Sequence, residues 1–422
     1  MVSKSTITCD MEGVIETFNE GAASIFGYSP DEVIGKKRVS LFSPGLIVLQ
    51  NVESWLKLAR EKKEYETKTV FVRKDGSTFP ARIRITPTYR DGVQIGYCGI
   101  TEPIEEQVEV PISFWTRVMS WLVITRAPFL TAAIMPVLIG GAFAAQFLGQ
   151  DVGFPVVPYL LTLVGVMLLH LASNVFNDYF DWQSGTDQAN AKYFQMYSGG
   201  SRAIELGLID MKGTRNLATA LLATAVLIGL YLTFTIGWGV LGLGLLGAAA
   251  GFFYTAPPVR LVARKGLGEL FIALAFGPLI TLGTSYVVTG SFDLWPVAFL
   301  IGIPVGLLTA NILVINQVPD VAADASTGKN HLVVTFGSRN TPYLYGTILA
   351  VAIGVHAWMA ATDPRANMFW WLPALLLVVQ GIRIVRHMVL HIDSRELVRA
   401  NAQTIQLNIL YGVLFAAVLL FS

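Results

Sequence analysis

The chain has 422 residues, of which 53% are hydrophobic and 14% charged, a balance too apolar for a water-soluble protein of this length. A formal net charge of +1 offers no electrostatic footprint for a nucleic-acid partner. Two cysteines, Cys9 and Cys98, make neither a disulfide framework nor a zinc site. The start, Met-Val-Ser-Lys-Ser-Thr, lacks the apolar segment of a signal peptide, so the N-terminal part is expected to remain in the cytoplasm.

Apolarity is uneven along the chain. Residues 1–105 are polar and read as a small α+β domain. Thr6–Cys9 and Val14–Phe18 predict two strands joined by a turn at Asp10–Gly13. Asn19 is placed to cap a short helix, Glu20–Phe26. Val52–Lys63 predicts an amphipathic helix with Val52, Trp55, Leu56 and Ala59 on one face. Strands Thr67–Arg73, Thr78–Tyr89 and Val93–Thr101 follow, joined by hairpin turns at Asp75-Gly76 and Asp91-Gly92. This order resembles a PAS domain. The resemblance rests on Asn19-Glu-Gly-Ala-Ala23, Phe26-Gly-Tyr-Ser29, Glu32-Val-Ile-Gly35, Arg73-Lys-Asp-Gly-Ser77 and Gly99-Ile-Thr-Glu102. It implies a docking or dimerisation module, or a small-molecule sensor; a homodimer through this domain is one expectation. The domain has no histidine, so it supplies no axial histidine to a haem. Residues 106–120 read as a linker or interfacial segment.

From residue 121 to the end, nine apolar segments approach the roughly 20 residues that span a bilayer. They are 121–147, 156–180, 215–237, 239–256, 267–289, 294–319, 341–361, 368–390 and 404–421; the short, Gly-rich fourth is the weakest. Basic residues set the orientation. Loops after even-numbered segments carry Lys192, Arg202, Lys212 and Arg215, then Arg260, Arg264 and Lys265, then Lys329 and Arg339, then Arg395 and Arg399. The opposite loops carry only Arg365. The N-terminus and the long loops are therefore expected on the cytoplasmic face of the inner membrane.

Two acidic motifs stand out. The second segment ends Ser-Asn174-Val-Phe-Asn-Asp178-Tyr-Phe-Asp181, and the sixth ends Asn316-Gln-Val-Pro-Asp320-Val-Ala-Ala-Asp324. Each set has helical spacing and would share one face. An Asp at the centre of a membrane helix costs roughly 2.5–3.5 kcal/mol, so four need water or cations. Hard oxygen ligands that retain water and share a phosphate suit Mg²⁺. One such helix end alone is as readily a cap in a polar loop; two matched copies on one side favour a site for a metal-bound phosphorylated substrate. Lys192, Arg202 in Gly199-Gly-Ser-Arg202, Arg260 in the segment that begins at Tyr254, and Lys329 are the candidate counter-charges for a diphosphate. Arg260, Arg264 and Lys265 are equally readable as membrane-surface anchors. His170 could face the cavity but reads more simply as a core histidine.

The combination resembles the UbiA-type intramembrane prenyltransferases over residues 121–421, closest to the 1,4-dihydroxy-2-naphthoate prenyltransferases of menaquinone synthesis. Matching stretches are Arg126-Ala-Pro-Phe-Leu-Thr-Ala-Ala-Ile-Met-Pro136, Asn177 to Asp181 with Gly185-Thr-Asp187, Gly199 to Arg202, Gly207-Leu-Ile, Tyr254, Gly266 to Glu269, Gly283-Thr, and Asn316 through Lys329. The resemblance implies an all-α membrane bundle of nine transmembrane helices, residues 121–422, behind the PAS-like domain. It implies that Asn174, Asp178, Asp181, Asp320 and Asp324 hold two Mg²⁺ ions. The four aspartates would be catalytic; Asn174, Asp187, Lys192, Arg202, Tyr254, Arg260, Asn316 and Lys329 would bind substrate. A polyprenyl diphosphate and an aromatic acceptor are the implied partners, with the bilayer. The acceptor could equally be 4-hydroxybenzoate, homogentisate, a chlorin or haem, or a glycerol phosphate lipid. A PAS-bearing membrane sensor is the competing class, but a sensor has no need of two Asp motifs. Pro319 and the stretch Asn190–Tyr197 depart from the family pattern, and Pro319 predicts a kink where the sixth helix ends.

Overall fold

A computed structural model of the chain describes residues 4–149, 151–190, 193 and 197–422. It forms two compact units: Met1–Ile124 with Gly185–Tyr193 and Ser201–Gly213, and Thr125–Ser184 with Phe194–Gly200 and Thr214–Ser422.

The first unit is built on a five-stranded antiparallel sheet. Its strands are β1 (Ser5–Asp10), β2 (Ile15–Phe18), β3 (Tyr65–Val72), β4 (Thr78–Arg90) and β5 (Val93–Pro103), in the order β2-β1-β5-β4-β3. The turns follow from their residues. Asp10 Oδ1 accepts the N–H groups of Glu12 and Val14, both at 2.9 Å, closing the first hairpin. Asp91 and Gly92 both take positive φ, 51° and 78°, the geometry a tight two-residue hairpin demands. Helix α1 (Glu20–Phe26) is capped by Asn19, whose side chain accepts from the Ala22 N–H. Helix α2 is Glu53–Lys62. One aromatic cluster, Phe18, Phe26, Phe42, Phe71 and Phe79, fills the space between α1 and the sheet.

Helix α3 (Phe114–Ile124) closes the polar part of this unit. Gln50 fastens its start, accepting from the Ser113 N–H at 2.9 Å and the Thr116 hydroxyl at 2.8 Å. The first apolar segment, expected from 121, is thus divided: Trp121–Ile124 belong to α3, and the span begins only at Ala127. The cause is local, because Arg126 takes φ 53° and Pro128 follows.

The second unit is helical. Among the described residues, eight helices are long and apolar enough to cross a membrane: α4 (Ala127–Ala145), α5 (Val156–Ser184), α6 (Met211–Thr235), α8 (Leu267–Thr289), α9 (Trp295–Asn316), α10 (Ser338–Thr362), α11 (Met368–His391) and α12 (Leu397–Leu420). Helix α7 (Gly239–Phe253) has 15 residues, about 22 Å of rise, short of a hydrocarbon core of about 30 Å. Phe143, Ile301, Leu308, Tyr345, Trp370, Tyr411 and Phe415 are among the residues of its main apolar cluster. His356 is satisfied within it, pairing with the Tyr411 hydroxyl (2.9 Å) and the Trp370 carbonyl (2.8 Å). Glycines set the approach of α8 and α9. A Cβ on Gly306 would lie 2.0 Å from the Ala273 carbonyl oxygen, and one on Gly302 2.1 Å from Thr281 Oγ1.

Candidate active site

The two motifs end their helices differently. Helix α5 runs 29 residues without a break, about 43 Å, so its last turns extend past the length a bilayer needs and carry Asp178 and Asp181, with Asn174 one turn earlier. Helix α9 stops at Asn316. Pro319 has no N–H, and the chain tightens through bonds from the Val318 N–H to Ile315 and the Asp320 N–H to Gln317. Asp320 then occupies the position before a separate short helix, Val321–Ser326, which holds Asp324. The second motif is thus a helix end plus a one-turn helix, where the spacing predicted one continuous face.

A second reversal brings the motifs together. Gly328 takes φ 77°, the left-handed conformation glycine adopts without strain. The Lys329 N–H donates to the Asp324 carbonyl (2.8 Å), and Lys329 Nζ lies 2.6 Å from Asp181 Oδ2 and 3.8 Å from Asp324 Oδ1. All three side chains are buried. One ammonium group therefore joins a carboxylate of each motif in a low-dielectric setting, where such pairs are strongest. Asp178 is buried as well. Asp320 is half-buried and accepts the Gly199 N–H at 2.8 Å.

Other expected residues lie elsewhere. Asn174 donates from Nδ2 to the Thr125 carbonyl (3.3 Å), two residues before the first span. Asn316 accepts from Asn401 Nδ2 at 2.7 Å, so its amide oxygen is engaged by α12. Tyr254 and Arg260 are half-buried in the stretch after α7, and Arg260 is held at φ 45°. Asp187 and Arg202 belong to the first unit, where they form a buried pair with Arg202 Nη1 3.8 Å from Asp187 Oδ1. Lys192 lies outside the described residues.

Two residues at this site had no role in the sequence reading. His331 Nδ1 accepts the Val334 N–H (3.3 Å), which leaves its proton on Nε2, 3.0 Å from Asp324 Oδ2. Glu269 is buried and accepts the Leu332 N–H (2.9 Å), while the Lys265 N–H donates to the Asn330 carbonyl (2.8 Å). Both fasten the loop that carries Lys329. A search for histidine pairs at metal-ligand spacing passes over His331, because its partner is a carboxylate seven residues back across a loop.

Below this polar end is a cavity of about 220 Å³, lined by residues that include Leu169, His170, Ser173, Gly247, Gly251 and Phe276. His170 lines it instead of sitting satisfied in the core, and its Nδ1 has no hydrogen-bond partner among the described residues.

The donor set suits Mg²⁺ in one particular way. No three acidic or histidine side chains among the described residues converge on a single point. Magnesium, however, usually binds one or two carboxylates together with substrate phosphates and water, so a split set of hard oxygen donors fits an ion that arrives with a diphosphate.

Fold and site together define a helical membrane protein whose polar end gathers paired carboxylates and a lysine. The UbiA prenyltransferase family profile matches residues 133–420, and the chain belongs to that family; it is a prenyltransferase. A PAS domain profile matches residues 3–102. The 1,4-dihydroxy-2-naphthoate octaprenyltransferase of Bacillus subtilis is 27% identical over 300 residues, 71% of this chain and 91% of that protein. The enzyme of that name from Escherichia coli is 30% identical over 284 residues, covering 65% and 87%. Among solved structures, a UbiA homologue from Archaeoglobus fulgidus bound to DMAPP and Mg²⁺ superposes with a TM-score of 0.50 at 17% identity, over 71% of this chain and 99% of its own. The apo UbiA homologue of Aeropyrum pernix gives 0.53 at 16% identity, over 69% and 97%. These two likenesses establish the fold.

Proposed function

We propose that this protein transfers a polyprenyl group from its diphosphate to 1,4-dihydroxy-2-naphthoate, in menaquinone biosynthesis. The observation that carries the reading is the buried Asp181–Lys329–Asp324 bridge between the two motifs. The names of the Bacillus and Escherichia relatives support the acceptor, and the ligands of the Archaeoglobus homologue support the donor.

Asn174, Asp178, Asp181, Asp320 and Asp324 would hold Mg²⁺, two ions in this reading, with Asn316 oriented through Asn401. Bound there, Mg²⁺ neutralises charge on the diphosphate as it leaves. The chain's own residues do the rest. Lys329 shifts from its carboxylate partners toward the diphosphate oxygens, with Tyr254 and Arg260 of the same unit as further substrate-binding residues of this reading, and Asp187, Lys192 and Arg202 keep the substrate-binding role that the family resemblance implies. The cavity beside α5 takes the start of the isoprenoid tail and keeps water from the allylic carbon. When the carbon–oxygen bond breaks, diphosphate departs with the electron pair. The electron-rich ring attacks the allylic carbon, and the carboxylate it bore leaves as carbon dioxide.

The corresponding organisation is a PAS-like domain at 1–105, an interfacial segment at 106–120 and a transferase domain at 121–422. Its membrane part has nine helices with α7 as the short one, and its N-terminus and active site face the cytoplasm across the inner membrane. The test is transfer of radiolabelled prenyl from its diphosphate into extracted lipid, with and without Mg²⁺. A panel of 1,4-dihydroxy-2-naphthoate, 4-hydroxybenzoate and homogentisate is the acceptor set. Labelled product with the naphthoate alone is expected; equal or better transfer to another acceptor overturns the assignment.

A further inference from the structure

The first unit contains more than the PAS-like domain. It also contains Gly185–Tyr193 and Ser201–Gly213, the two arms of the loop that follows α5. The contacts between domain and loop are specific. Arg38, which precedes a single 3₁₀ turn (Val39–Phe42), is buried, and its Nη2 donates to the Tyr193 carbonyl at 2.7 Å, across 155 residues of sequence. Its guanidinium carbon stands 3.7 Å from the centre of the Tyr193 ring. The guanidinium carbon of Arg202 stands 4.1 Å from the same centre. Tyr193 is buried between these partners and the loop, only 2% exposed.

Arg202 is held within this unit through both of its terminal nitrogens. Its Nη1 donates to the Asp187 carbonyl and lies 3.2 Å from Glu205 Oε2, and its Nη2 donates to the Asn190 carbonyl at 3.1 Å. Its backbone is held at φ 58°, a left-handed conformation costly for a residue with a side chain and kept only where surroundings impose it. A second point of contact is independent of the arginines. A Cβ on Gly45 would fall 2.3 Å from the Leu206 carbonyl oxygen and 2.7 Å from Leu208 Cδ2, so the domain's backbone lies directly against the loop. Arg202 is paired with Asp187 and Glu205, and Tyr193 offers a ring face to both buried arginines.

We propose that Arg38 is a positioning residue for Arg202, and that the PAS-like domain serves as a structural wall of the substrate loop by stacking on Tyr193. A lysine in place of Arg38 keeps the charge and loses the planar stack and fork. This inference rests on the transferase reading for the role of Arg202, but not for the contact itself.

The experiment is hydrogen exchange on the full chain in nanodiscs, followed at segments 185–190 and 197–213. In R38A, exchange there rises about tenfold or more, while β4, β5 and the spans keep wild-type protection; R38K falls nearer R38A than wild type. Tyr193→Leu reproduces the effect with the domain untouched, and Tyr193→Phe, which keeps the ring, restores protection. Titrating Mg²⁺ with geranyl diphosphate against the same segments gives an apparent Kd, expected to weaken about tenfold in Arg38→Ala and Tyr193→Leu but not in Tyr193→Phe. Unchanged exchange in both Arg38→Ala and Tyr193→Leu overturns the contact, and faster exchange with an unchanged Kd overturns the positioning role. Absence of any protection by geranyl diphosphate in the wild-type chain counts against the transferase reading and leaves the exchange comparison to judge the Arg38 contact.

Discussion

Lys329 shows how one side chain can decide what a carboxylate cluster does. Bringing Asp181 and Asp324 together in a buried setting without a cation would cost several kcal/mol. The ammonium removes that cost and holds the two motifs in register. Asp178→Ala and Asp324→Ala are therefore expected to lower prenyl transfer below about 1% of wild type while yield in the membrane fraction is unchanged; turnover near wild type in either would sink the site. His331 acts at one remove. Its Nε2–H restricts the Asp324 carboxylate, as outer partners of metal ligands do. His331→Ala should raise the Mg²⁺ concentration for half-maximal transfer about 10–100-fold, with maximal rate recovered at saturating Mg²⁺. A loss of rate that added Mg²⁺ does not restore would place His331 in the chemistry itself. The aspartates were legible because helical spacing repeats in the sequence. His331 and Glu269 were not, because their roles depend on how the loop after Gly328 turns.

Among elements, the hairpins and α1 could be read almost to the residue, since Asp-Gly turns and an Asn cap are chemical instructions to the backbone at one place. The membrane helices could be found but not bounded. Apolarity alone joins α3 to α4, although α3 leaves Phe114, Trp115 and Trp121 exposed on a helix of 11 residues, the pattern of a segment lying at an interface. Nor does composition reveal which glycines matter. Gly306 and Gly283 look alike in sequence, yet a Cβ on Gly283 meets nothing nearer than Leu243 Cδ1 at 3.8 Å. Gly306→Val is expected to destabilise the α8–α9 packing by about 1–3 kcal/mol, and Gly283→Ala to be silent. Thermal unfolding of both variants in detergent checks this; equal midpoints would mean that α8 and α9 can separate without loss.

At the scale of the whole molecule, the distribution of basic residues makes a statement that the contacts do not. Arg and Lys concentrate in the loops after α5, α7, α9 and α11, and this predicts that those loops, and the N-terminal domain with them, face the cytoplasm. The two native cysteines make the prediction measurable. Burial pushes the Cys9 thiol up to about 12, so at pH 8 it stays protonated and unreactive. Burial raises the Cys98 thiol too, with Arg84 opposing, but Cys98 is only partly covered and remains open to a small reagent. Asp293, exposed between α8 and α9, marks the opposite side. With a membrane-impermeant maleimide, Asp293→Cys should label in right-side-out spheroplasts while neither native cysteine does. In inside-out vesicles Cys98 should label slowly, Cys9 should stay unmodified until the protein is unfolded, and Asp293→Cys should be silent. Cys98 labelling from the outside would invert the topology and move the Asp181–Lys329–Asp324 bridge away from any diphosphate made in the cytoplasm.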